Sequence, residues 1–449
     1  MRRLQSESPK FRRLWRAVCA RGSADDEAKV RRVSASIVAD VRARGDRALL
    51  EHTRRLDGWT PRRARDLTLG PDSFARAYRA LPASGRRAVG LAARRIAAFH
   101  VREEDARVPA FKDRSGATLA QVTRPIARVG LYVPGGTARY PSSVLMSAIP
   151  ALVAGVGEVV VASPGVRGSG EMDPWTLAAC HAAEVRLLHR VGGAQAVAAL
   201  AYGTESIRAV DKICGPGNAY VTAAKRLVYG KVDIDMVAGP SEVLVVADGS
   251  ADAAEVASDL IAQAEHDERA VAVLVSTSAL LADRVEVEVA RQLEELPRRE
   301  IARRSLEARG AIVVAAGLAE ALRLAEEFAP EHLALHARAA GRLVPRIARA
   351  GAVFVGRYTP EAVGDYVAGP SHVLPTSGTA RFASPLSVAT FRRRMSVVEL
   401  ARKALLAVAP AVRSLARAEG LLGHWRAVEV RMVKAKAAGP GRGGLGRRR

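Results

Sequence analysis

Short apolar runs rich in β-branched residues alternate along this chain with longer segments of helical period. The runs that have the composition of buried strands are Ile126–Val133, Val159–Ala162, Val243–Ala247, Val271–Ser276, Ile312–Val314 and Val353–Val355. Strands that alternate with helices form parallel sheets, because a parallel pair needs a crossover connection between its strands. The pattern therefore predicts an α/β fold in which helices cover parallel sheets.

The helical patterns divide the chain into predicted regions. They fall at Val30–Arg44, Phe74–Ala80, Ser84–His100, Arg402–Arg413 and Glu419–Lys436. After about Ser384 the strand signal ends, so we predict a C-terminal helical segment there. The predicted regions are an N-terminal helical extension (1–29), a discontinuous main α/β domain (30–131 and 241–383), an inserted α/β domain (132–240), the C-terminal helical segment (384–436) and a disordered Gly/Arg tail (437–449).

Composition excludes several functional classes. The 449 residues carry a net charge of +23, but the excess is mostly arginine spread along the chain, and aromatic residues make up only 4%. Basic clusters without interleaved aromatics do not form a stacking platform, so we expect no specific nucleic-acid partner. No apolar run is long enough for a membrane span, and we expect no membrane partner. Three cysteines without a CxxC pair suit a reducing cytoplasm.

Gln263 and His266 are the most informative polar pair in the chain. The segment from Asp252 to His266 has the pattern of an amphipathic helix, and Gln263 falls on its apolar stripe with His266 one turn further along. A carboxamide and an imidazole directed at one point need a polar partner, and a metal ion is a natural one. The alternative is a helix end at which the imidazole only forms a hydrogen bond.

Three glycine-rich segments are candidates for ligand-binding turns. They are Gly130–Gly136, Val191–Gln195 and Cys214–Asn218. The first follows a predicted strand directly and the second is expected to, at the position where an α/β sheet opens its ligand crevice. Tight βα turns without a ligand are the alternative. The GxGxxG in the chain, Gly441–Gly446, has no strand before it and no helix after it, so it is not a dinucleotide fingerprint.

Further polar residues lie in loops near the ends of predicted elements. Pro330 disfavours helical geometry at Ala329, which puts the adjacent Glu331 and His332 on a loop that leads into an apolar run. An acid beside an imidazole can act as a general acid–base pair, although a solvated loop pair is the alternative. The other candidates are Asp365, His372, Glu419 and His424.

The order of these motifs resembles that of the histidinol dehydrogenase family. The matching segments are GLYVPGG (Gly130–Gly136), YPSSVLMSAIPA (Tyr140–Ala151), VGGAQA (Val191–Ala196), VDKICGPGNAYV (Val210–Val221), DMVAGPSEVLV (Asp235–Val245), QAEH (Gln263–His266), PEHL (Pro330–Leu333), GDY (Gly364–Tyr366) and SHVLPT (Ser371–Thr376). One departure is Ser371, where the family more usually has Asn before the His. The resemblance implies two Rossmann-like parallel-sheet domains, with a dinucleotide crevice in the inserted domain.

The resemblance also implies an activity and a set of site residues. A zinc-dependent, NAD-linked enzyme would oxidise L-histidinol through L-histidinaldehyde to L-histidine, the last steps of histidine biosynthesis. Matched by motif, the catalytic pair is Glu331 and His332. The zinc ligands are Gln263, His266, Asp365 and His424. The substrate contacts are Ser241, Gln263, His266, His332, Asp365, His372, Glu419 and His424. The cofactor contacts are Tyr132, Gln195 and Asn218.

The resemblance further implies one Zn²⁺ per subunit and a cytoplasmic homodimer. In that family the C-terminal segment crosses to the other subunit, so Glu419 and His424 would complete the partner's site. The donor set itself, one carboxamide oxygen, two imidazoles and one carboxylate, is a borderline N/O set that suits Zn²⁺. His332 would accept the alcohol proton, and Glu331 would activate the water that hydrates the aldehyde.

Other chemistries remain open at this level. Cys214 could act as a thiol nucleophile on the aldehyde, but its sequence neighbours offer no base, so we expect a buried filler. Another amino or sulfonated alcohol could be the substrate on the same scaffold, since a fold does not determine a substrate. Glu419 would pair with a cationic amine, which favours histidinol. A zinc hydrolase and a polyanion-binding protein are alternatives of other classes.

Overall fold

The computed structural model describes residues 1–21, 24–103, 108–135 and 139–434. This part of the chain forms two compact units: a main unit made of Met1–Glu103 and Ile126–Phe391, and a small unit made of the described parts of 104–125 and 392–449. The predicted Gly/Arg tail 437–449 lies outside the described residues, as does Gly136 at the end of the first glycine-rich segment.

Helices and strands alternate through most of the main unit, and their labels follow chain order over both units. The α-helices are α1 (Phe11–Ala20), α2 (Ala24–Arg44), α3 (Asp46–Asp57), α4 (Pro71–Ala80), α5 (Ala83–His100), α6 (Pro141–Val153), α7 (Pro174–Ala182), α8 (Gly193–Tyr202), α9 (Ala219–Val228), α10 (Ala253–Ala264), α11 (Ala279–Leu293), α12 (Arg299–Arg309), α13 (Leu318–Phe328), α14 (Glu361–Tyr366), α15 (Arg402–Ala418) and α16 (Leu422–Lys434). The strands are β1 (Arg2–Gln5), β2 (Thr68–Leu69), β3 (Phe111–Lys112), β4 (Thr118–Pro125), β5 (Arg128–Tyr132), β6 (Glu158–Ala162), β7 (Leu187–His189), β8 (Lys212–Cys214), β9 (Asp233–Ile234), β10 (Glu242–Ala247), β11 (Val271–Ser276), β12 (Ala311–Val314), β13 (His332–His336), β14 (Ala352–Val355) and β15 (Arg392–Glu399).

The first sheet of the main unit, sheet I, is entirely parallel. Its strand order is β1-β12-β11-β10-β13-β14. Along β10, Val243 and Val245 pack against the layer that contains α10 and α11, while Leu244 and Val246 pack against the layer that contains α1 and α13. Both faces of the sheet are therefore covered by helices, which explains why its central strands β10 and β11 are largely apolar.

The second sheet, sheet II, has the order β2-β7-β6-β5-β8-β9. All neighbouring strands are parallel except β2, which pairs antiparallel with β7. The chain proceeds from β5 through β6 to β7 on one side and continues with β8 and β9 on the other. The order of connection thus reverses between β5 and β8, and such a reversal opens a crevice at the carboxyl ends of the strands.

The small unit contains the antiparallel sheet β15-β4-β3 and the helices α15 and α16. Strand β15 pairs with β4 along its whole length, from Arg392 opposite Pro125 to Glu399 opposite Thr118. The prediction of an all-helical segment after Ser384 was therefore wrong. Most of β15 is exposed, so it lacks the alternation of buried and exposed residues by which a strand is recognised in a sequence.

The predicted fold class is confirmed, and most predicted strands of the main unit agree with the structure to within two residues at each end. Strand β1 was missed: it adds an edge to sheet I inside the region predicted as a helical extension. Strand β5, at the predicted boundary between the main and inserted domains, is hydrogen-bonded to β6 and β8 and so belongs to sheet II. No helix in the described part of the chain is long and apolar enough to cross a membrane.

Candidate functional site

A cleft of about 1530 Å³ lies in the main unit, between the amino ends of sheet I strands and the carboxyl ends of sheet II strands. Ser241 and Glu331, which immediately precede β10 and β13, line it from one side. Tyr132, the last residue of β5, and Asn218, which follows β8, line it from the other side. In sheet II the cleft lies at the carboxyl ends of the strands, where open α/β sheets bind their ligands. In sheet I the polar residues lie instead at the amino ends of the strands.

The cleft brings together most of the residues singled out in the sequence. Those that line it are Tyr132, Asn218, Ser241, Gln263, His266, Glu331, His332, Asp365 and His372. Gln195 is fully buried in α8 and is not part of the lining. Glu419 and His424 belong to the small unit, where both are exposed at the junction of α15 and α16.

Gln263 is the least satisfied polar residue of the site. It lies in the last turn of α10 and is 0% exposed, yet neither its Oε1 nor its Nε2 has a hydrogen-bond partner among the described residues. A buried carboxamide without a partner is costly, so its presence indicates a ligand. The helix ends at Ala264 rather than at His266 as predicted, so His266 belongs to the turn that follows.

The two histidines nearest Asp365 approach it from different directions. The Nε2 of His266 lies 3.9 Å from one Asp365 carboxylate oxygen. The Nδ1 of His372 lies 3.0 Å from the Asp365 backbone carbonyl, and its Nε2 lies 3.3 Å from the Ser143 hydroxyl. Burial lowers the pKa of His372. The His266 Nε2 and the Asp365 carboxylate oxygen, 3.9 Å apart, can bind a common cation.

Glu331 and His332 are buried, 6% and 4% exposed, so the solvated loop pair does not describe them. The Glu331 carboxylate accepts a hydrogen bond from the Glu242 backbone N–H at 2.8 Å, and the His332 Nδ1 lies 3.0 Å from the Glu242 backbone carbonyl. Ala329 has φ 47° as the chain leaves α13, in agreement with the non-helical geometry expected before Pro330. One residue of β10 thus holds both side chains.

The protonation of this pair follows from its burial. Burial lowers the pKa of His332 to about 4, so the imidazole is neutral near pH 7. With Nδ1–H donated to the Glu242 carbonyl, the neutral ring carries its lone pair on Nε2. Burial, followed by the charge of Glu242, raises the pKa of Glu331 well above its ordinary value. A nearby positive charge would favour its ionised form.

The structure adds Glu361, which the sequence analysis did not identify. It is the first residue of α14, is 2% exposed, and places Oε1 3.4 Å from the His332 Nδ1. Ligand atoms of His332, Glu361 and Asp365 all lie within 4.8 Å of one another. The spacing of Glu361 and Asp365, four residues apart in a short helix, was the available signal, since such residues share a face.

A buried ion pair holds Glu242, the first residue of β10. Arg21, just past α1, lies 3.0 Å from the Glu242 carboxylate, which also accepts a hydrogen bond from the Ser377 N–H at 2.7 Å. The Arg21 guanidinium lies over the Phe328 ring, 3.6 Å from its centroid. Burial raises the pKa of Glu242 to about 7, and Arg21 opposes this shift.

The residues predicted to bind the cofactor surround the switch point of sheet II. The Tyr132 hydroxyl accepts a hydrogen bond from the Gly193 N–H at 3.0 Å, at the start of α8. Gln195 lies in the first turn of α8 and is fully buried, with its side chain hydrogen-bonded to Asp57. Asn218 caps α9, because its Oδ1 accepts from the Tyr220 and Val221 N–H groups at 3.0 and 3.1 Å. Its Nδ2 remains as a donor.

The loop after β8 is held by buried charges. Asp235 accepts a hydrogen bond from the Gly215 N–H at 2.7 Å, and Lys225 donates to the Gly215 carbonyl at 2.9 Å and pairs with Asp235. Gly215 has φ +111°, and a Cβ there would lie 2.1 Å from the Tyr132 carbonyl oxygen. Only glycine fits this position.

Cys214 does not have the surroundings of a nucleophile. It is fully buried in the core on one face of sheet II. Burial raises the pKa of its thiol well above the ordinary value, so the thiolate is scarce near neutral pH. This agrees with the expected role as a buried filler.

Two Rossmann-like sheets with a shared cleft, an acid–imidazole pair and a mixed N/O donor set define an α/β enzyme. The family model for histidinol dehydrogenase matches residues 20–432. The histidinol dehydrogenase of Chromobacterium violaceum is 49% identical over 434 residues, 96% of this chain and 99% of that protein. That of Moorella thermoacetica is 51% identical over 396 residues, 88% of this chain and 92% of that protein.

A solved structure agrees with these sequence matches. The crystal structure of histidinol dehydrogenase from Elizabethkingia anophelis superposes with a TM-score of 0.89 at 31% identity, covering 98% of this chain and 99% of that chain. The chain belongs to the histidinol dehydrogenase family and is an oxidoreductase.

Proposed function

We propose that this enzyme oxidises L-histidinol through L-histidinaldehyde to L-histidine, with two NAD⁺ per substrate and one Zn²⁺ per subunit, as the last steps of histidine biosynthesis. Family membership supports the overall reaction. The observation that carries the metal and residue assignments is the buried, unpartnered carboxamide of Gln263 in the same cleft as His266, Asp365, Glu331 and His332.

The residues present fit a zinc ion. Gln263 needs a partner for its oxygen, and His266 and Asp365 present a nitrogen and an oxygen 3.9 Å apart. This spacing is too long for a hydrogen bond but suits two atoms bound to one cation. We assign the fourth ligand to His424 of a second copy of the chain, and its exposure leaves it accessible to another subunit. When bound, Zn²⁺ would hold the substrate, polarise its reacting oxygen and favour the ionised form of Glu331.

His332 is the proposed base for the alcohol step. Its Nδ1 is held by the Glu242 carbonyl, so the free lone pair on Nε2 is available to accept the hydroxyl proton. Because burial lowers its pKa to about 4, the ring is in the basic form over the whole physiological range. Glu361 lies 3.4 Å from Nδ1, and burial, followed by the charge of Asp365, raises its pKa well above the ordinary value. In its ionised form, which a bound cation favours, it would stabilise the imidazolium that forms.

Glu331 is the proposed group that activates water in the aldehyde step. The second oxidation requires hydration of the aldehyde, because a hydride leaves from a carbon that carries two hydroxyl groups. As a carboxylate, Glu331 would accept a proton from the attacking water through the oxygen that does not bind the Glu242 N–H. Its position beside His332 allows both groups to act on one substrate carbon.

The cofactor contacts are assigned to the crevice of sheet II. Tyr132, Gln195 and Asn218 lie around the carboxyl ends of β5, β7 and β8, where α/β sheets bind dinucleotides. Gln195 is buried at the start of α8, and Asn218 retains its Nδ2 donor for a ligand. When bound, NAD⁺ would take up one hydride in each of the two oxidations.

The substrate contacts explain the choice of histidinol over related alcohols. We assign Ser241 and His372 in the cleft, with Glu419 contributed by a second copy, as the groups that hold the substrate. A carboxylate such as Glu419 favours a cationic amine and disfavours a sulfonate. Because Glu419 and His424 are assigned to a second copy of the chain, we propose a homodimer. A cytoplasmic location suits the three free cysteines, Cys19, Cys180 and Cys214.

The test is NADH formation by purified full-length protein over a panel of alcohols. Histidinol should give two NADH per molecule consumed and yield histidine, and a chelator should abolish the reaction until zinc is returned. Faster oxidation of another amino alcohol or a sulfonated alcohol at matched NAD⁺ would assign a different substrate to the same site. Hydrolysis of an ester or amide without NAD⁺ would assign a hydrolase.

A further inference from the structure

Helix α10 packs over β10 and β11, and a buried polar contact links it to the neighbouring strand β13. Asp259 and Gln263 lie one turn apart on α10, and both are buried. On β13, His332 and His336 are four residues apart and therefore point to the same side as Ala334, which packs in the core cluster that contains α10. The proposed zinc ligand Gln263 and the proposed base His332 are thus carried by two elements that must keep a fixed register.

Outside the cleft, an imidazole–carboxylate contact joins the two elements directly. The His336 Nε2 lies 2.8 Å from the Asp259 Oδ2, and the two residues are 6% and 4% exposed. Neither residue lines the cleft, whereas Gln263, His266 and His332 all do. A hydrogen bond between an imidazole and a carboxylate in a low-dielectric interior is strong and directional.

The other contacts of α10 do not tie it to β13. The Gln292 Nε2 donates to the Ala254 carbonyl at 3.0 Å, but this hydrogen bond joins α10 to α11. Val256, Leu260 and Ala264 bury apolar surface against sheet I, but such packing is not directional. The ion pair between Glu255 and Arg357 is exposed to solvent, and exposed pairs contribute little. Gln263 has no hydrogen bond to the described residues that could fix its own position. The Asp259–His336 contact is therefore the buried, directional link from the metal-binding helix to the catalytic strand.

We propose that Asp259 and His336 are positioning residues that lock α10 against β13 and so set the distance from Gln263 and His266 to His332. Neither residue touches substrate or metal. A metal and base constellation must be held to within about 0.5 Å to be productive. The functional part of this inference rests on the proposed zinc-dependent activity, whereas the geometric part does not.

The decisive variant replaces both members of the pair, Asp259→Leu with His336→Leu, in the full-length protein. Replacing a buried pair by apolar side chains leaves no unpaired charge, so the variant should remain folded. The matched control replaces another imidazole–carboxylate contact of the same length, Asp40 with His52, by Leu at both positions. That pair joins α2 to α3 at 2.8 Å and is remote in sequence from the site.

Two measurements are made on each protein: zinc affinity by competition with a chromogenic chelator, and a crystal structure without metal. In the Asp259/His336 variant we expect zinc affinity to fall about 10- to 100-fold, as for other residues that orient metal ligands. We also expect Gln263 to move relative to His332 by more than about 0.5 Å. The Asp40/His52 control should keep wild-type values of both. Wild-type affinity and superimposable sites in the Asp259/His336 variant would overturn the proposal.

Conservative variants cover the case in which the double variant does not fold. Asp259→Asn keeps an oxygen acceptor for His336 and should bind zinc more tightly than Asp259→Ala at similar melting temperature. Equal zinc affinity of these two variants would contradict a positioning role. If the wild-type protein binds no zinc, the proposed function fails, and the metal-free crystal structures still decide whether the pair sets the register of α10.

Discussion

Replacing Gln263 by Leu should stabilise the metal-free protein and reduce the further stabilisation that zinc provides. Gln263 is 0% exposed, and neither atom of its amide group is paired within the described residues. A buried amide without a hydrogen bond costs about 1 to 3 kcal/mol in proteins. Removing it should therefore raise the free energy of unfolding of the metal-free protein by about that amount.

Zinc should stabilise the wild-type protein more than the variant. At a free zinc concentration 100 times its dissociation constant, binding adds about 2.7 kcal/mol to the stability of the wild-type protein. Each tenfold loss of affinity in Gln263→Leu removes about 1.4 kcal/mol of that gain at saturating zinc. The assay is urea unfolding with chelator and with buffered zinc.

Gln195→Leu is the control, because Gln195 is also a fully buried glutamine but lies in α8, beside sheet II and away from the Gln263 side chain. It should keep the wild-type increase in stability with zinc. If Gln263→Leu were no more stable than the wild type without metal, or were stabilised equally by zinc, the argument from the unpaired carboxamide would be refuted.

Three further predictions concern the catalytic pair, the cofactor loop and the response to pH. His332→Asn should lower the rate of alcohol oxidation by about 10²- to 10⁴-fold, because it removes the proposed base. Glu331→Gln should chiefly slow the oxidation of added histidinaldehyde. Equal loss of both steps in each variant would contradict the separate roles proposed for the two residues. Gly215→Ala should raise the KM for NAD⁺ more than the KM for histidinol, because the new Cβ would lie 2.1 Å from the Tyr132 carbonyl oxygen and displace the loop after β8. Equal effects on the two KM values would contradict a local effect on this loop. Burial lowers the pKa of His189 to about 4, so the unfolded chain takes up a proton that the folded protein does not between about pH 6.5 and 4. Stability should therefore fall as the pH drops through this window, by about 3 kcal/mol from this group, and urea unfolding of His189→Gln should lack that part of the acid dependence.

Much of the fold could be predicted because buried parallel strands are apolar on both faces. Val243–Ala247 and Val271–Ser276 stand out for this reason, and the structure extends the first by one residue and leaves the second unchanged. Strand β15 could not be found in the same way, since Met395, Val397 and Val398 are all exposed and only its pairing with β4 makes it a strand. Edge and surface strands depend on their partners more than on their own composition.

In the candidate site, too, the sequence identifies residues that lie in local motifs but not residues whose roles depend on distant contacts. The motifs around Gln263, Glu331 and Asp365 identify residues that the structure brings into one cleft. The roles of Glu242 and His336 depend on neighbours far along the chain, 89 residues from Glu242 to Glu331 and 77 from Asp259 to His336. A charged residue at the start of a strand gives no sign, by itself, of the backbone and side chains that it will hold.

The most direct test of the account is a crystal structure of the zinc-loaded protein with anomalous data collected at the zinc edge. We expect an anomalous peak in contact with the Gln263 oxygen, the His266 imidazole and the Asp365 carboxylate, with His424 of a second copy as a further ligand. No peak at that position, or a peak that Gln263 does not touch, would contradict it.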